Sequence, residues 1–168
     1  MGSRHAAAAL LCASMFTLCL GAHPAIESET CCDNPAQSPC ERIGSTSPVA
    51  VAALIRRVTH GEPLALDLAL ASRASLDGGS LEDLDRALAG VAERRPRVFL
   101  NAARVHCLSG DQVASIVTML PLETVDQTTL RASMLRRRIQ RLSSVGAQSL
   151  VRLRDAAVSA LSEYLASL

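Results

Sequence analysis

Apolar residues recur at intervals of three and four along most of the chain after residue 46, which is the spacing of amphipathic α-helices. The first such segment follows Ser47, a residue type that caps helices, and it stops at Gly61. Its apolar face consists of Val51, Leu54, Ile55 and Val58. Because the sequence lacks alternating apolar and polar runs and hairpin turn pairs, the pattern predicts helices and no strands.

The same pattern divides residues 47–168 into about seven helices and predicts a single all-α domain. The helices are expected to begin near Ser47, Leu64, Ser80, Pro96, Asp111, Val125 and Ala147. Ser80 and Asp111 are expected to cap the third and fifth helices. Because the connections are short, we expect antiparallel helical hairpins that form either a stack or an irregular bundle.

The spacing of apolar residues also assigns an apolar face to the second helix and to the sixth helix. In the second helix one stripe consists of Leu64, Leu68 and Ala71, and Leu66 and Leu70 widen it. This helix is therefore expected to be well buried. The stripe of the sixth helix consists of Val125, Ala132, Leu135, Ile139 and Leu142.

The first 22 residues have the organisation of a secretory signal. Arg4 and His5 give a short polar start, and residues 6–20 form an uncharged run that is short for a membrane span. Small residues then precede His23, so we predict cleavage after Ala22 and export to the periplasm or the extracellular space. Retention of the segment as a membrane anchor is the alternative.

Cleavage at that point leaves four cysteines in an oxidising compartment, which is typical of disulfides. They are Cys31, Cys32, Cys40 and Cys107. A bond between the adjacent pair would be strained, so one of the two is expected to join Cys40 and the other Cys107. These bonds would tie an irregular arm, residues 23–46, to a helix. A metal or thiol site is the alternative, although the cysteine spacing matches no zinc motif.

An internal repeat of 33 residues links the first two helix pairs. Its identical positions are Ser47/Ser80, Val58/Val91, Pro63/Pro96 and Ala69/Ala102. A capping serine, a helix, a tight turn and a proline-initiated helix thus recur in step over residues 47–108. This segment resembles the helical hairpins of HEAT-type and related α-repeat proteins. The resemblance implies stacked antiparallel hairpins and a protein-binding face, and it implies no catalytic residues.

Residues 131–154 contain seven arginines and no acidic residue. Five of them belong to the sixth helix: Arg131, Arg136, Arg137, Arg138 and Arg141. On a helical projection these five flank its apolar stripe, as expected for side chains that border a core with solvated head groups. The alternative is a surface for an acidic partner, formed by Arg131, Arg137, Arg138 and Arg141. Its counterpart, within one chain or across a homodimer, would be the acidic stretch of Asp77, Glu82, Asp83 and Asp85.

Composition argues against several function classes. The chain has no Trp, one Tyr and two Phe, so aromatic stacking sites for bases or sugars are not expected. Its formal charge of +1 falls to zero after cleavage, because loss of Arg4 leaves 16 Arg against 16 acidic residues. Nucleic-acid binding is therefore not expected. Hydrolase, metalloprotease and nucleotide-binding motifs are missing, and the adjacency of His106 and Cys107 does not establish a nucleophile pair.

Together these patterns predict an exported, non-catalytic helical protein with a protein-binding or structural role. No cofactor or metal is expected, and the expected partner is a protein. Membrane binding is not expected once the signal is removed. The alternative function is thiol-based redox chemistry or metal handling by Cys31, Cys32 and Cys40.

Overall fold

Every regular element of the computed structural model is a helix, and the described part of the chain is residues 47–168. Within this range the α-helices are α1 (Pro48–Thr59), α2 (Pro63–Ser72), α3 (Gly78–Arg94), α4 (Pro96–Val105), α5 (Gly110–Thr118), α6 (Thr128–Ser143) and α7 (Val151–Ala166). Short 3₁₀ turns lie between them at Arg73–Ser75, Leu122–Thr124 and Gln148–Leu150. The predicted all-α class and the number of helices are therefore confirmed for residues 47–168.

Polar side chains cap the first turns of α1 and α5. The Ala50 N–H donates to Ser47 Oγ at 3.3 Å, and Pro48 at the first helical position has no N–H to satisfy. At the start of α5 the Gln112 N–H donates to Ser109 Oγ at 3.2 Å, and the Ser109 N–H donates to the Gln112 side-chain oxygen at 2.9 Å. This reciprocal pair satisfies two N–H groups that the helix itself leaves without partners.

Two predicted caps are wrong. Asp77 occupies the cap position of α3, so Ser80 lies inside the first turn of that helix. Ser109 caps α5, so Asp111 also lies inside a first turn. The box formed by Ser109 and Gln112 provides two hydrogen bonds where an aspartate cap provides one, and Asp111 instead places its charge near the positive end of the helix dipole.

The helices pack mainly on neighbours that are one or two elements away in the chain. α1 contacts α2 and α3, α2 also contacts α4, and α3 also contacts α4, α5 and α6. α7 lies against α5 and α6. α3 therefore occupies the centre, and its Leu84 and Leu88 are fully buried together with Phe99 of α4.

The buried face of α2 differs from the predicted stripe. Ala65, Leu66 and Leu70 are buried, whereas Leu64 is 77% and Leu68 is 38% exposed. Because α2 is apolar almost all round, its periodicity does not distinguish one face from another. Its packing against α1 and α4 selects the face that is buried.

The stripe of α6 is also corrected, at its first member. Val125 is 57% exposed and follows the 3₁₀ turn Leu122–Thr124, ahead of the first residue of α6. Leu135 and Leu142 are fully buried, as the stripe predicts. Because α6 begins only at Thr128, Val125 does not follow the α-helical spacing of the stripe and does not share its buried face.

The predicted signal, its cleavage after Ala22 and the arm of residues 23–46 lie outside the described residues. Cys31, Cys32 and Cys40 lie there as well. Residues 47–168 contain one cysteine, the exposed Cys107, and by themselves they give the disulfide prediction no support. None of the helices in residues 47–168 combines the length and the apolar character that a membrane crossing requires.

Truncation of Leu66 tests the buried face of α2. Leu66→Ala should lower the free energy of unfolding by about 3 kcal/mol, because it removes buried methyl groups and leaves a cavity. Leu64→Ala, the same change on the exposed side of the same helix, should alter it by less than about 0.5 kcal/mol. Urea denaturation followed by circular dichroism measures both values, and equal losses would contradict the assignment.

Candidate functional site

Arg138, one of the four predicted partner-surface arginines, lies in the core. Its side chain is 2% exposed, and it donates from Nη1 to the carbonyl oxygens of Val117 and Met119, at 2.9 Å for the latter. These two carbonyls are at the end of α5, where the helix has no further N–H donors to offer them. The prediction that Arg138 belongs to a solvent-facing surface is therefore wrong.

Glu93 of α3 supplies the negative charge for Arg138. Arg138 Nη2 lies 3.3 Å from Glu93 Oε2, and Arg137 Nε lies 2.6 Å from Glu93 Oε1. Burial lowers the pKa of Arg138, while Glu93 opposes this shift and Arg137 adds to it. Arg138 Nε is buried and has no hydrogen-bond partner among the described residues. A guanidinium remains charged under these conditions, so the cluster fixes α6 to α3 and to the end of α5.

The other predicted surface arginines have different environments. Arg131 donates from Nη2 to the Tyr164 hydroxyl at 2.6 Å and from Nη1 to the Val125 carbonyl at 3.2 Å. Its guanidinium carbon is 5.5 Å from the centroid of the Tyr164 ring, close enough for a cation–π contact. Arg131 thus links α6 to α7. Arg137 is half exposed at the edge of the Glu93 cluster, and Arg141 is exposed.

A second buried ion pair was not predicted from the sequence. Arg73 donates from Nε and Nη2 to the two carboxylate oxygens of Asp85, each at 2.8 Å, and Nη2 is also 3.0 Å from Ser115 Oγ. Asp85 was predicted to belong to a solvent-facing acidic stretch, but its side chain is 3% exposed. The sequence does contain an indication that Asp85 is buried. Asp85 follows Leu84 and lies four residues after Leu81, which places it on the apolar face of α3.

Two further members of the acidic stretch are paired on their own helix. Arg86 donates from Nη2 to Glu82 at 3.0 Å and from Nη1 to Asp83 at 2.6 Å. These are exposed pairs at helical spacings of four and three residues. None of the ion pairs within residues 47–168 joins the acidic stretch to the arginines of α6, so the predicted intramolecular counterpart is not found there.

A concave surface with a largely apolar lining lies along α4. It has a volume of about 600 Å³ and lies between α2 and the turn that precedes α7. We define the α4 groove by its apolar lining, which consists of Pro63, Leu66, Val98, Ala102, Val105, Ala147 and Leu150. Val98 and Val105 are 48% and 58% exposed, so the groove floor is open to solvent.

Polar side chains lie along the same groove. Asp67, Arg97, Asn101 and Ser149 contribute to its lining. The Asp67 carboxylate is 3.3 Å from His106 Nε2, which joins the middle of α2 to the end of α4. An apolar floor with polar side chains beside it is the usual arrangement of a protein–protein contact surface.

His106 and Cys107 lie beyond the end of α4. The helix ends at Val105, and Cys107 has a left-handed backbone with φ +54°. A left-handed residue after a helix lets its own N–H and that of the next residue bond to carbonyls of the last turn. Here the Cys107 N–H donates to the Arg104 carbonyl at 3.1 Å, and the Leu108 N–H donates to the Ala103 carbonyl at 2.9 Å. His106 and Cys107 are therefore not successive residues of one helix.

Residues 47–168 contain no group of three or more His, Cys, Asp or Glu side chains placed to bind a metal ion. No protein-family model matches the chain, and neither a curated protein nor a solved structure has significant similarity to it. Its function must therefore be inferred from the arrangement of its own residues.

Removal of Arg138 tests the buried cluster. Arg138→Ala should lower the free energy of unfolding by about 3–5 kcal/mol, because Glu93 loses one of its partners and two α5 carbonyls lose their donor. Arg141→Ala, an exposed arginine on the same helix, should change it by less than about 0.5 kcal/mol. Thermal and urea unfolding report both values. A loss at Arg138 no larger than that at Arg141 would contradict the structural role.

Proposed function

We propose that this protein is a non-catalytic protein-binding module and that the α4 groove is its binding site. The observation that carries the proposal is the exposure of Val98 and Val105 on the floor of a groove whose lining is mostly apolar. Exposed apolar surface inside a concave site is unfavourable in water, and a partner that covers it gains the free energy of its burial.

The chemistry of the groove favours one face of an amphipathic helix as the partner segment. From Val98 to Val105 the floor extends over seven residues of α4, or about 10 Å, which matches two turns of a helix laid along it. The partner's apolar side chains would contact Val98 and Val105, and its polar side chains would meet Asp67 and Asn101 at the edge.

The HEAT-like hairpin architecture is part of the same proposal. Pro63 and Pro96, related by the 33-residue repeat, each occupy the first position of a helix. The related residues Val58 and Val91 are both buried. α1 packs on α3 and α2 packs on α4, so corresponding helices of the two pairs are neighbours. These contacts support a stack whose second and fourth helices carry the binding groove.

We also propose that the chain is exported after cleavage at Ala22 and that disulfides tie residues 23–46 to the helical domain. The even number of cysteines that remain after cleavage is the argument for this proposal. Cys107, the one cysteine of residues 47–168, is exposed beyond the end of α4. Each bond would form when two thiols transfer two electrons and two protons to a disulfide-containing oxidant, which is itself reduced to a dithiol. The bond at Cys107 would place the arm beside the end of the groove.

Photo-crosslinking tests the groove. A photoreactive phenylalanine analogue that replaces Val98 should crosslink to a partner protein in the cells that produce the chain, because this side chain would be covered in the complex. The same analogue at Val49, which is 80% exposed on α1, should give no such adduct. The adduct at position 98 should also be lost when Val105 is changed to Asp.

Two results would overturn this function. One is the same adducts at positions 98 and 49, and the other is an adduct at position 98 that persists in the Val105→Asp variant. Circular dichroism of each purified variant establishes that the helices remain folded, since Val98 and Val105 lie outside the core.

Mass spectrometry of the exported protein tests the signal and the disulfides. The intact protein should begin at His23, and iodoacetamide should label none of its four cysteines before reduction. Digestion without reduction should release a peptide that contains Cys107 linked to one of Cys31 or Cys32. Cys107→Ser should expose one thiol in the arm to the reagent. A protein that begins at Met1, or four thiols that react without reduction, would refute this part of the proposal.

A further inference from the structure

The junction of α3 and α4 presents three exposed arginines, Arg94, Arg95 and Arg97, which we call the basic rim. None of them forms an ion pair with another residue of the described range. Two neighbouring acids are engaged elsewhere: Glu93 binds Arg137 and Arg138, and Glu62 binds Arg57 at 2.8 Å. Asp67, which lines the α4 groove together with Arg97, lies 3.3 Å from His106 Nε2. The arginines of the basic rim therefore keep their charge outside the ion pairs formed within residues 47–168.

Backbone carbonyls hold two of these arginines in place. Arg94 Nη2 donates to the Thr59 carbonyl at 3.1 Å, and Arg95 Nη1 donates to the Gly61 carbonyl at 3.2 Å. A carbonyl orients a guanidinium without cancelling its charge, and each guanidinium keeps further N–H donors for another partner. Because the side chains are already ordered, an acidic partner would lose less conformational entropy on binding them.

Gly61 allows this arrangement at the end of α1. Its φ of +80° is a left-handed conformation that suits glycine, and a Cβ at this position would lie 3.4 Å from Arg95 Nη1. The backbone turn therefore favours glycine at residue 61, whereas the contact with Arg95 would be an ordinary van der Waals contact. The turn brings the C-terminal end of α1 close to the basic rim.

A cavity of about 570 Å³ separates the start of α4 from the end of α6, and two arginines of the basic rim lie at its edge. Arg95 and Arg97 line it on one side together with Val98, and residues 144–147 line it on the other. Arg97 and Val98 also line the α4 groove, so the two concave surfaces are continuous. The first turn of α4 adds the positive end of a helix dipole.

We propose that the basic rim and its cavity bind an acidic segment of a partner protein. Carboxylates of the segment pair with Arg95 and Arg97, and an apolar side chain enters beside Val98 and Val145. A concave site with mixed apolar and basic lining fits a peptide better than the flat surface of a bilayer. This surface is additional to the α4 groove, and its arginines are not needed for the groove to bind an apolar face.

Fluorescence anisotropy with a defined probe tests the proposal on the purified full chain. The probe is a fluorescein-labelled twelve-residue peptide with Glu and Asp at most positions and two Leu residues. Arg97→Glu should raise its Kd about tenfold, because it reverses one charge at the site. Arg152→Glu makes the same change in charge at an exposed position of α7 and should alter the Kd by less than about twofold.

Arg97 makes no hydrogen bond within the described residues, and glutamate near the start of a helix is favourable, so this variant should fold normally. The parallel titrations use phosphatidylglycerol vesicles, a DNA duplex and inorganic phosphate. Tighter rim-dependent binding of any of these than of the peptide would overturn the proposal, and so would a Kd that Arg97→Glu leaves unchanged.

The chain's own residues 23–46 contain four acidic residues and one arginine, so they are a second source of carboxylates. A full-chain variant with Glu27, Glu29 and Glu41 changed to Gln and Asp33 changed to Asn distinguishes the two sources. Peptide binding by this variant but not by the unmodified chain would assign the basic rim to the chain's own arm and overturn the proposal of a partner protein. The crosslink at Val98 is assigned to the α4 groove by its loss in the Val105→Asp variant, because Val105 lines the groove and does not line the cavity beside the basic rim. A failure of peptide binding at the basic rim therefore leaves the α4 groove untouched.

Discussion

The contact between Arg138 and Glu93 determines how three helices of this domain meet. Arg138 extends from α6 into the core, satisfies two carbonyls at the end of α5 and reaches a carboxylate on α3. A buried charge is unfavourable unless it is paired and hydrogen-bonded, so helix positions that break these contacts are disfavoured. Arg73 and Asp85 impose a similar condition between the turn after α2 and the buried face of α3. Apolar contacts alone allow neighbouring helices to shift against each other. The hydrogen bonds of these ion pairs are directional, so they restrict the relative positions of the helices.

Helix periodicity was sufficient to predict the class of the fold and the number of helices, because each helix must bury one apolar face. It was not sufficient to orient α2, since leucines surround that helix and only its neighbours decide that Leu66 is buried and Leu64 is exposed. It also misplaced Arg138 and Asp85. Charged residues are predicted to face solvent because burial is rarely compensated, and their compensation here comes from carbonyls and partners that are distant in sequence.

The candidate binding surfaces depended even more on tertiary structure. Val98 and Val105 appear in the sequence as ordinary members of an apolar face, and their exposure follows from the space left between α2 and the turn before α7. Arg94, Arg95 and Arg97 form an evident basic run in the sequence. Their lack of carboxylate partners within residues 47–168 depends on Glu62 and Glu93 being engaged by other arginines. The α4 groove and the basic rim meet at Arg97, so a single extended ligand could contact both.

The position of α1 at the edge of the domain affects how the domain opens. α1 contacts only α2 and α3 among the main helix contacts of the described residues, whereas α3 has neighbours on several sides. Amide protons of α1 should therefore exchange with deuterium through local opening at the edge, while those of α3 and α5 exchange only when the whole domain unfolds. A helix at such an edge can detach while the central helices remain packed. Gly61 and the arginines anchored near it lie at this edge, so opening of α1 would release the carbonyls that orient Arg94 and Arg95.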